Sequence, residues 1–180
     1  MSASETKIAA AAAAETDTLT SRRAAVLADR ILEGASGLAE FAEGLTDAEW
    51  ATPISESDRR PIGIIVHHVA SVYPAEVQIA QAIAGGNAVT DITWEFIANM
   101  NAGHADDNAG ATRSETIELL RRNSREAADA VRSLTNAELD SAAPFALSFG
   151  APVTAQFVIE DHALRHSWHH LARIRRTLGR

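Results

Sequence analysis

The 180-residue chain contains no cysteine. This absence excludes disulfides, thiolate metal sites, iron–sulfur clusters and cysteine nucleophiles. The sequence also lacks any run of about 18 apolar residues, so we expect no membrane-spanning helix. Basic residues are few, because 16 Lys and Arg stand against 24 Asp and Glu, giving a formal net charge of −8. A surface this acidic repels a phosphate backbone, so we expect no nucleic-acid partner.

Proline, glycine and aromatic residues are scarce, with five, ten and nine copies, whereas alanine occurs 37 times. This composition favours helix over sheet. The chain length and the 46% apolar content are typical of one globular domain with a buried core. Residues 1–17 lack a leucine-rich segment, so we interpret them as a flexible N-terminal tail and not as a signal peptide. Residues 18–180 then form a single domain, for which a cytoplasmic location is expected.

Helix-capping signals recur along this domain. A Thr precedes a Glu by three residues at 46–49, 112–115 and 135–138, which is the pattern of a capping box. Four long helices are predicted over residues 20–43, 61–84, 112–134 and 154–178, with a further helical segment over 93–108. Residues 141–153 are the one stretch predicted to be non-helical. The simplest all-α fold is a four-helix bundle, in which the long second connection allows a crossover. A helical array would require an internal repeat, which is absent.

The histidines are unevenly distributed, with four of seven between residues 162 and 170. On a helical wheel of the last helix, Trp168 belongs to the apolar arc, and His166 and His170 fall on the side of these apolar residues. His162 and His169 fall among arginines, so we expect them to face solvent.

The second helix carries an adjacent pair of histidines. Its apolar face, predicted to be core, includes Val72, Ala75 and Ile79. His68 falls inside this face, and His67 falls on the opposite side. In the segment over 93–108, His104 shares a face with Ile97 and Met100. The bundle interior is therefore predicted to contain His68, with His104 as a further inward histidine.

Inward histidines on facing helices indicate a site for a divalent metal ion. His166 and His170 are four residues apart, so their rings project side by side and both can bind one ion. His68 from the facing helix completes a three-histidine set that leaves coordination positions open for water or substrate. The alternative is that these are ordinary core histidines bonded to carbonyl groups. His-Glu-x-x-His is absent, because Ser167 stands where a zinc protease has its base, and no general base is evident.

Pro74 interrupts the second helix on its polar face. A proline has no N–H and crowds the carbonyl four residues earlier, which here belongs to Ala70. We therefore expect a kink at this point.

Two segments resemble the DinB-like superfamily of four-helix-bundle metal-dependent enzymes. One is Pro61-Ile-Gly-Ile-Ile-Val-His-His68-Val-Ala, and the other is His166-Ser-Trp-His-His170-Leu-Ala-Arg-Ile. The short turns Leu45-Thr-Asp-Ala-Glu-Trp50 and Leu134-Thr-Asn-Ala-Glu-Leu-Asp140 are also similar to turns in that family. The likeness extends over about residues 19–178.

This resemblance implies His68, His166 and His170 as metal ligands, an up-down-down-up bundle with a crossover, and a homodimer. It also implies activities of the kind found in the family, which include thiol-cofactor-dependent transferases and isomerases. Asn101 and His104 resemble a motif of one subgroup of the family, so they are candidates for a pocket residue or an extra ligand.

Three functions remain open from the sequence. The first is a metal-dependent enzyme, a hydrolase or a thiol-dependent transferase, acting on a small molecule with or without a low-molecular-weight thiol. The second is a metal-binding or stress-associated bundle without catalysis. The third is a purely structural or protein-interaction bundle, in which the histidines are ordinary core residues. The metal could be Zn, Ni, Fe or Mn, because three imidazoles with open positions suit all four.

Overall fold

The computed structural model describes residues 21–180. The predicted tail, residues 1–17, and the predicted first residue of the first helix lie outside this range. The helices are α1 (Arg22–Glu43), α2 (Asp47–Trp50), α3 (Ile62–Ala84), α4 (Trp94–Asp107), α5 (Arg113–Arg132), α6 (Asn136–Asp140), α7 (Ala155–Ile159) and α8 (Arg165–Thr177). A π-helical turn (Glu160–Leu164) joins α7 to α8, so the three segments form one long C-terminal helix. In the described part of the chain, no helix has both the length and the apolar content needed to cross a membrane.

The predicted all-α four-helix bundle is confirmed, with α1, α3, α5 and the C-terminal helix as its long members. All three predicted capping boxes are present: each Thr hydroxyl accepts a backbone N–H, and each Glu reaches back to the N-cap residue. The stretch predicted to be non-helical holds a short antiparallel hairpin of β1 (Ala142–Pro144) and β2 (Pro152–Thr154), with a single 3₁₀ turn between them.

Side-chain contacts define the direction of α5 and of the C-terminal helix relative to α1. Arg132 pairs with Asp29, and Arg121 pairs with Glu43, so α5 runs antiparallel to α1. On its other side α1 contacts the C-terminal helix in parallel: Trp168 covers Gly34, and Leu171 lies beside Gly37. A Cβ atom on Gly34 would lie 2.7 Å from the Trp168 indole nitrogen, so this close approach requires glycine.

The remaining contacts complete the ring of helices. Asn123 contacts Ala70, and His67 shares a surface hollow with Leu119, so α3 and α5 are parallel. Tyr73 bonds to Ser167, while His68 lies beside His170, so the C-terminal helix runs antiparallel to α3. The four long helices are therefore ordered up-down-down-up. Parallel α3 and α5 require a connection that returns along the bundle, and residues 85–112, which include α4, provide this crossover.

The buried core of the bundle consists mainly of alanine and branched aliphatic side chains. Helix α1 buries small residues at close spacing, among them Ala24, Ala28 and Ala35, which lets its neighbours approach closely. Aliphatic side chains of α3, such as Ile65 and Val69, are fully buried against them. Helix α4 differs, because none of its residues is buried.

Pro74 leaves one carbonyl of α3 without its helical donor, and α5 supplies a replacement. Helix α3 continues through Pro74, whose missing N–H would have bonded to the Ala70 carbonyl. The side-chain amide of Asn123 donates to that carbonyl at 2.8 Å. Asn123 is buried, so this bond satisfies a backbone oxygen that water does not reach.

We predict that Asn123→Ala lowers the free energy of unfolding by about 1–3 kcal/mol, because it leaves the Ala70 carbonyl buried and unbonded. In a Pro74→Ala background the new backbone N–H can bond to Ala70, so the same substitution should cost at least about 1 kcal/mol less. Urea unfolding of the four proteins in this double-mutant cycle measures the difference. Asn99→Ala, an exposed site on α4, is the control. Equal costs in the two backgrounds would contradict the assignment.

A charged network connects the loop before α3 to the C-terminal helix. The Asp58 carboxylate accepts bonds from the Arg60 guanidinium at 2.8 and 2.9 Å and from Arg173 at 2.9 Å. These bonds, the Arg60 side chain first among them, hold the pKa of Asp58 well below its ordinary value. A carboxyl group whose pKa is lower in the folded state stabilises the fold above its unfolded pKa.

Asp58→Asn should therefore destabilise the protein by about 1–3 kcal/mol at pH 7. The difference from the unsubstituted protein should shrink as pH falls below about 4, where the unfolded carboxyl becomes protonated. Urea unfolding at pH 7 and at pH 3 checks this, with exposed Asp106→Asn as control. A difference that stays constant with pH would show that the ion pairs are not its source.

Candidate metal centre

Three imidazoles converge where α3 faces α8. His68 lies on α3, while His166 and His170 lie one turn apart on α8. Ligand atoms from the three rings lie within 4.8 Å of one another, and the ring centroids are 4.8 to 5.7 Å apart. His68 and His170 are buried, and His166 is half-buried. The structure thus brings together the three histidines that the sequence singled out.

Burial keeps two of these rings neutral. The Nε2 atoms of His68 and His166 face each other at 3.2 Å. Burial, together with the neighbouring imidazoles, lowers the pKa of His68 to about 3 and also lowers the pKa of His170. Both rings are therefore uncharged near pH 7, which is the protonation state in which histidine ligates metals.

Glu76 orients the third ring. The Nδ1–H of His166 donates to Glu76 Oε1 at 2.5 Å, and the Glu76 side chain is 9% exposed. This bond places the His166 proton on Nδ1 and leaves Nε2 free to face His68. A carboxylate that holds the outer N–H of a histidine is the usual support of a metal-ligating ring.

Sequence reasoning missed Glu76, although a signal was present. It is the only acidic residue in the segment from Pro61 to Ala84. It also lies seven residues after Val69 and seven before Ile83, so it falls in phase with buried aliphatic positions. A lone carboxylate on an apolar helix face indicates a buried partner, and here that partner is His166.

A buried hydroxyl pair fixes the separation of α3 and α8 beside the cluster. The Tyr73 and Ser167 hydroxyls lie 2.6 Å apart, and both side chains are fully buried. Tyr73 precedes Glu76 by three residues, and Ser167 directly follows His166. The pair therefore aligns the two helices at the position of the Glu76–His166 bond.

The π-helical turn alters which side chains of the C-terminal helix face the interior. Within this turn the N–H of Arg165 bonds to the carbonyl five residues earlier, which adds one residue to the turn. A helical wheel drawn over residues 154–178 at the regular α-helical spacing does not include this extra residue. His162, expected to face solvent, is half-buried and lines the cleft described below, whereas Trp168, expected on the apolar face, is 40% exposed. His169 is exposed, as expected.

His67, expected on the side of its helix opposite the apolar face, contacts the crossover helix. Its Nδ1 lies 2.9 Å from His104 Nε2, and Ser71 Oγ lies 3.1 Å from the same atom. The His104 ring is 5.7 Å from the His68 ring, and His104 is not one of the three converging residues. Its contacts attach α4 to α3. Both His104 and Asn101 line the cleft, so they stay candidates for pocket residues.

A cleft of about 430 Å³ opens above the three imidazoles. Helices α3, α4 and the C-terminal helix form its walls, and its volume lies in the range of small-molecule sites, about 300–1,000 Å³. A larger hollow of about 700 Å³ lies between α1 and α5, is lined mainly by arginine and glutamate, and contains none of the clustered histidines. The cleft is therefore the place where a ligand could reach the cluster.

Comparison with known proteins identifies the family. Residues 30–174 match the model of the DinB superfamily, and the chain belongs to that superfamily. Among solved structures, it is similar to YfiT from Bacillus subtilis, with a TM-score of 0.66 and 18% sequence identity over 85% of this chain and 86% of that one. YfiT is described as a probable metal-dependent hydrolase with an unusual four-helix bundle topology. No curated protein sequence matches the chain significantly.

Proposed function

We propose that this protein is a metal-dependent hydrolase whose divalent metal ion is bound by His68, His166 and His170. The observation that carries the proposal is the convergence of these three rings at the floor of a cleft, with His166 oriented by Glu76. The description of YfiT as a probable metal-dependent hydrolase supports the same reading.

The donor set fits a metal ion in three respects. Two nitrogens that ligate one ion at about 2.0–2.1 Å lie roughly 3 Å apart, close to the 3.2 Å between the Nε2 atoms of His68 and His166. His170 Nδ1 is buried and has no hydrogen-bond partner among the described residues. Imidazole donors suit Zn, Ni and Fe, with Mn as a further candidate, and the set does not choose among them.

A divalent metal ion held by His68, His166 and His170 would supply Lewis-acid chemistry, activating water near neutral pH and polarising a carbonyl group. The residues of the chain prepare the site for this chemistry. Glu76 accepts a hydrogen bond from the Nδ1–H of His166, which orients the ring so that Nε2 faces His68. Burial lowers the pKa values of His68 and His170, so both rings are neutral and able to bind a metal ion.

The other functions stay open as outcomes of experiment. A thiol-dependent transferase would need the same metal with a low-molecular-weight thiol, and a metal-binding or stress-associated bundle would hold the metal without turnover. The homodimer also stays a prediction. We favour hydrolysis because YfiT, to which the chain is similar, is described as a probable metal-dependent hydrolase. The cleft also has room for a small-molecule substrate.

Protein purified without a chelator or a histidine tag should carry close to one divalent metal per chain. His68→Ala should lose most of it, because two imidazoles on one helix hold an ion far less tightly than three. His169→Ala, which removes the exposed neighbour of His170, should keep its metal. Elemental analysis of the three proteins, with circular dichroism to check folding, measures this.

The same preparations test catalysis. Hydrolysis of activated esters should disappear after chelation and return on adding back the metal, and His68→Ala should stay inactive. A metal-loaded protein that hydrolyses no ester or amide, but accelerates transfer to a low-molecular-weight thiol, would replace the hydrolase proposal with the transferase. Absence of metal from folded protein would overturn both.

Glu76→Gln should weaken metal binding by about 10–100-fold, because the amide no longer fixes His166 through a charge-assisted bond. Competition with a metal-binding dye gives the affinity. The matched control is Glu33→Gln, an exposed carboxylate on α1, which should leave the affinity unchanged. Equal affinities for the Glu76 variant and the control would refute a supporting role for this carboxylate.

A further inference from the structure

The walls of the cleft contain apolar side chains that are not fully buried in the core of the bundle. Val72, Ala75 and Ile79 of α3, which the helical wheel places on the face predicted to be core, line the cleft instead, and none of them is fully buried. Across from them, Ile97 and Met100 of α4 line the same cleft. Ile79 and Ile97 also pack partly against the core, but all five side chains keep exposed apolar surface in the cleft, which is available to a ligand.

The crossover helix presents these side chains without burying them. Trp94 is 58% exposed and Met100 is 39% exposed, and both line the cleft. The contacts of His104 with His67 and Ser71 attach this helix to α3 one turn beyond Met100. Helix α4 therefore holds Trp94 and Met100 over the histidine cluster, while Ile97 of the same face also packs partly against the core.

The charged side chains at the cleft other than histidine form ion pairs or hydrogen bonds with side chains of this chain. Arg60 pairs with Asp58 at 2.8 Å, and Arg165 pairs with Asp161 at 3.2 Å. Glu76 is bonded to His166. Each aspartate, glutamate and arginine among the described residues that line the cleft thus has a partner. A strongly charged ligand would have to displace one of these pairs, whereas an uncharged one would not.

On these grounds we propose that the substrate of the hydrolase is an uncharged ester or amide with an apolar acyl chain, which lies between α3 and α4 while its carbonyl faces the three histidines. The inference rests on the proposed function, and it adds the substrate class. Hydrolysis would consume one water: the water oxygen bonds to the acyl carbon, and the bond from that carbon to the leaving alcohol or amine breaks. The leaving group takes one proton from the water, and the acid product releases the other.

The first test is chain length. The kcat/KM values of the metal-loaded protein for nitrophenyl acetate, butyrate and hexanoate should rise by at least about 10-fold along the series, because each methylene buried in the cleft adds favourable transfer energy. A flat or falling series would overturn the acyl-chain assignment and leave metal-dependent hydrolysis standing.

The second test measures binding without catalysis. N-phenylnaphthylamine, a neutral fluorophore, should bind more tightly than anilinonaphthalene sulfonate, which has the same rings and a negative charge. Met100→Asp should weaken binding of the neutral probe by about 10-fold or more, since it places a charge against an apolar ligand. The matched control is Phe96→Asp, on the same helix and exposed, which does not line the cleft and should bind normally.

Met100→Leu keeps an apolar side chain in the cleft wall and should bind the neutral probe like the unsubstituted protein. This variant separates the effect of losing apolar surface from the effect of disturbing helix α4. Equal effects of Met100→Asp and Phe96→Asp, or tighter binding of the charged probe, would overturn the inference. The neutral probe needs no metal, so it should also bind His68→Ala. Probe binding by the unsubstituted protein, together with absence of metal and of esterase activity from that same protein, would overturn the proposed function while supporting an apolar ligand for the cleft.

Discussion

The contact between α3 and α8 is the interaction on which the candidate site depends. Both helices bring polar side chains into an interior that is otherwise alanine and branched aliphatic residues, and each of these groups needs a partner because burial removes water. The Tyr73–Ser167 hydroxyl pair and the Glu76–His166 bond meet this need side by side. Together they determine the separation and the rotation of the two helices, and so they determine where the imidazoles of His68 and His170 lie.

The direction of the helices explains why the site has a cleft above it. Because α3 and α5 run parallel, the chain must return along the bundle between them, and α4 forms in that return. The crossover places apolar side chains of α4 opposite the histidine cluster, and its attachment through His104 is polar and local.

Polar side chains also compensate for irregular backbone near the site. Pro74 removes a donor from α3, and Asn123 of α5 replaces it. The π-helical turn shifts the C-terminal helix by one residue, so that His162 turns toward the cleft and Ser167 becomes buried. Both irregularities lie within two turns of the histidines. A regular helix pair would present different side chains to the same space.

The fold class and most helix limits followed from the sequence, because capping boxes, Gly-containing ends and apolar periodicity are local signals that neighbouring residues carry. The inward direction of His68, His166 and His170 followed from the same periodicity. The positions of Glu76 and His162 did not follow, nor did those of the apolar residues that line the cleft. These positions depend on which helices pack together. They also depend on a π-helical turn, which a helical wheel drawn at the regular α-helical spacing does not include. Local chemistry thus determined the helices and the candidate ligands, whereas only the packing of α3, α4 and α8 decided what surrounds them, because partners distant in sequence meet only in the folded bundle.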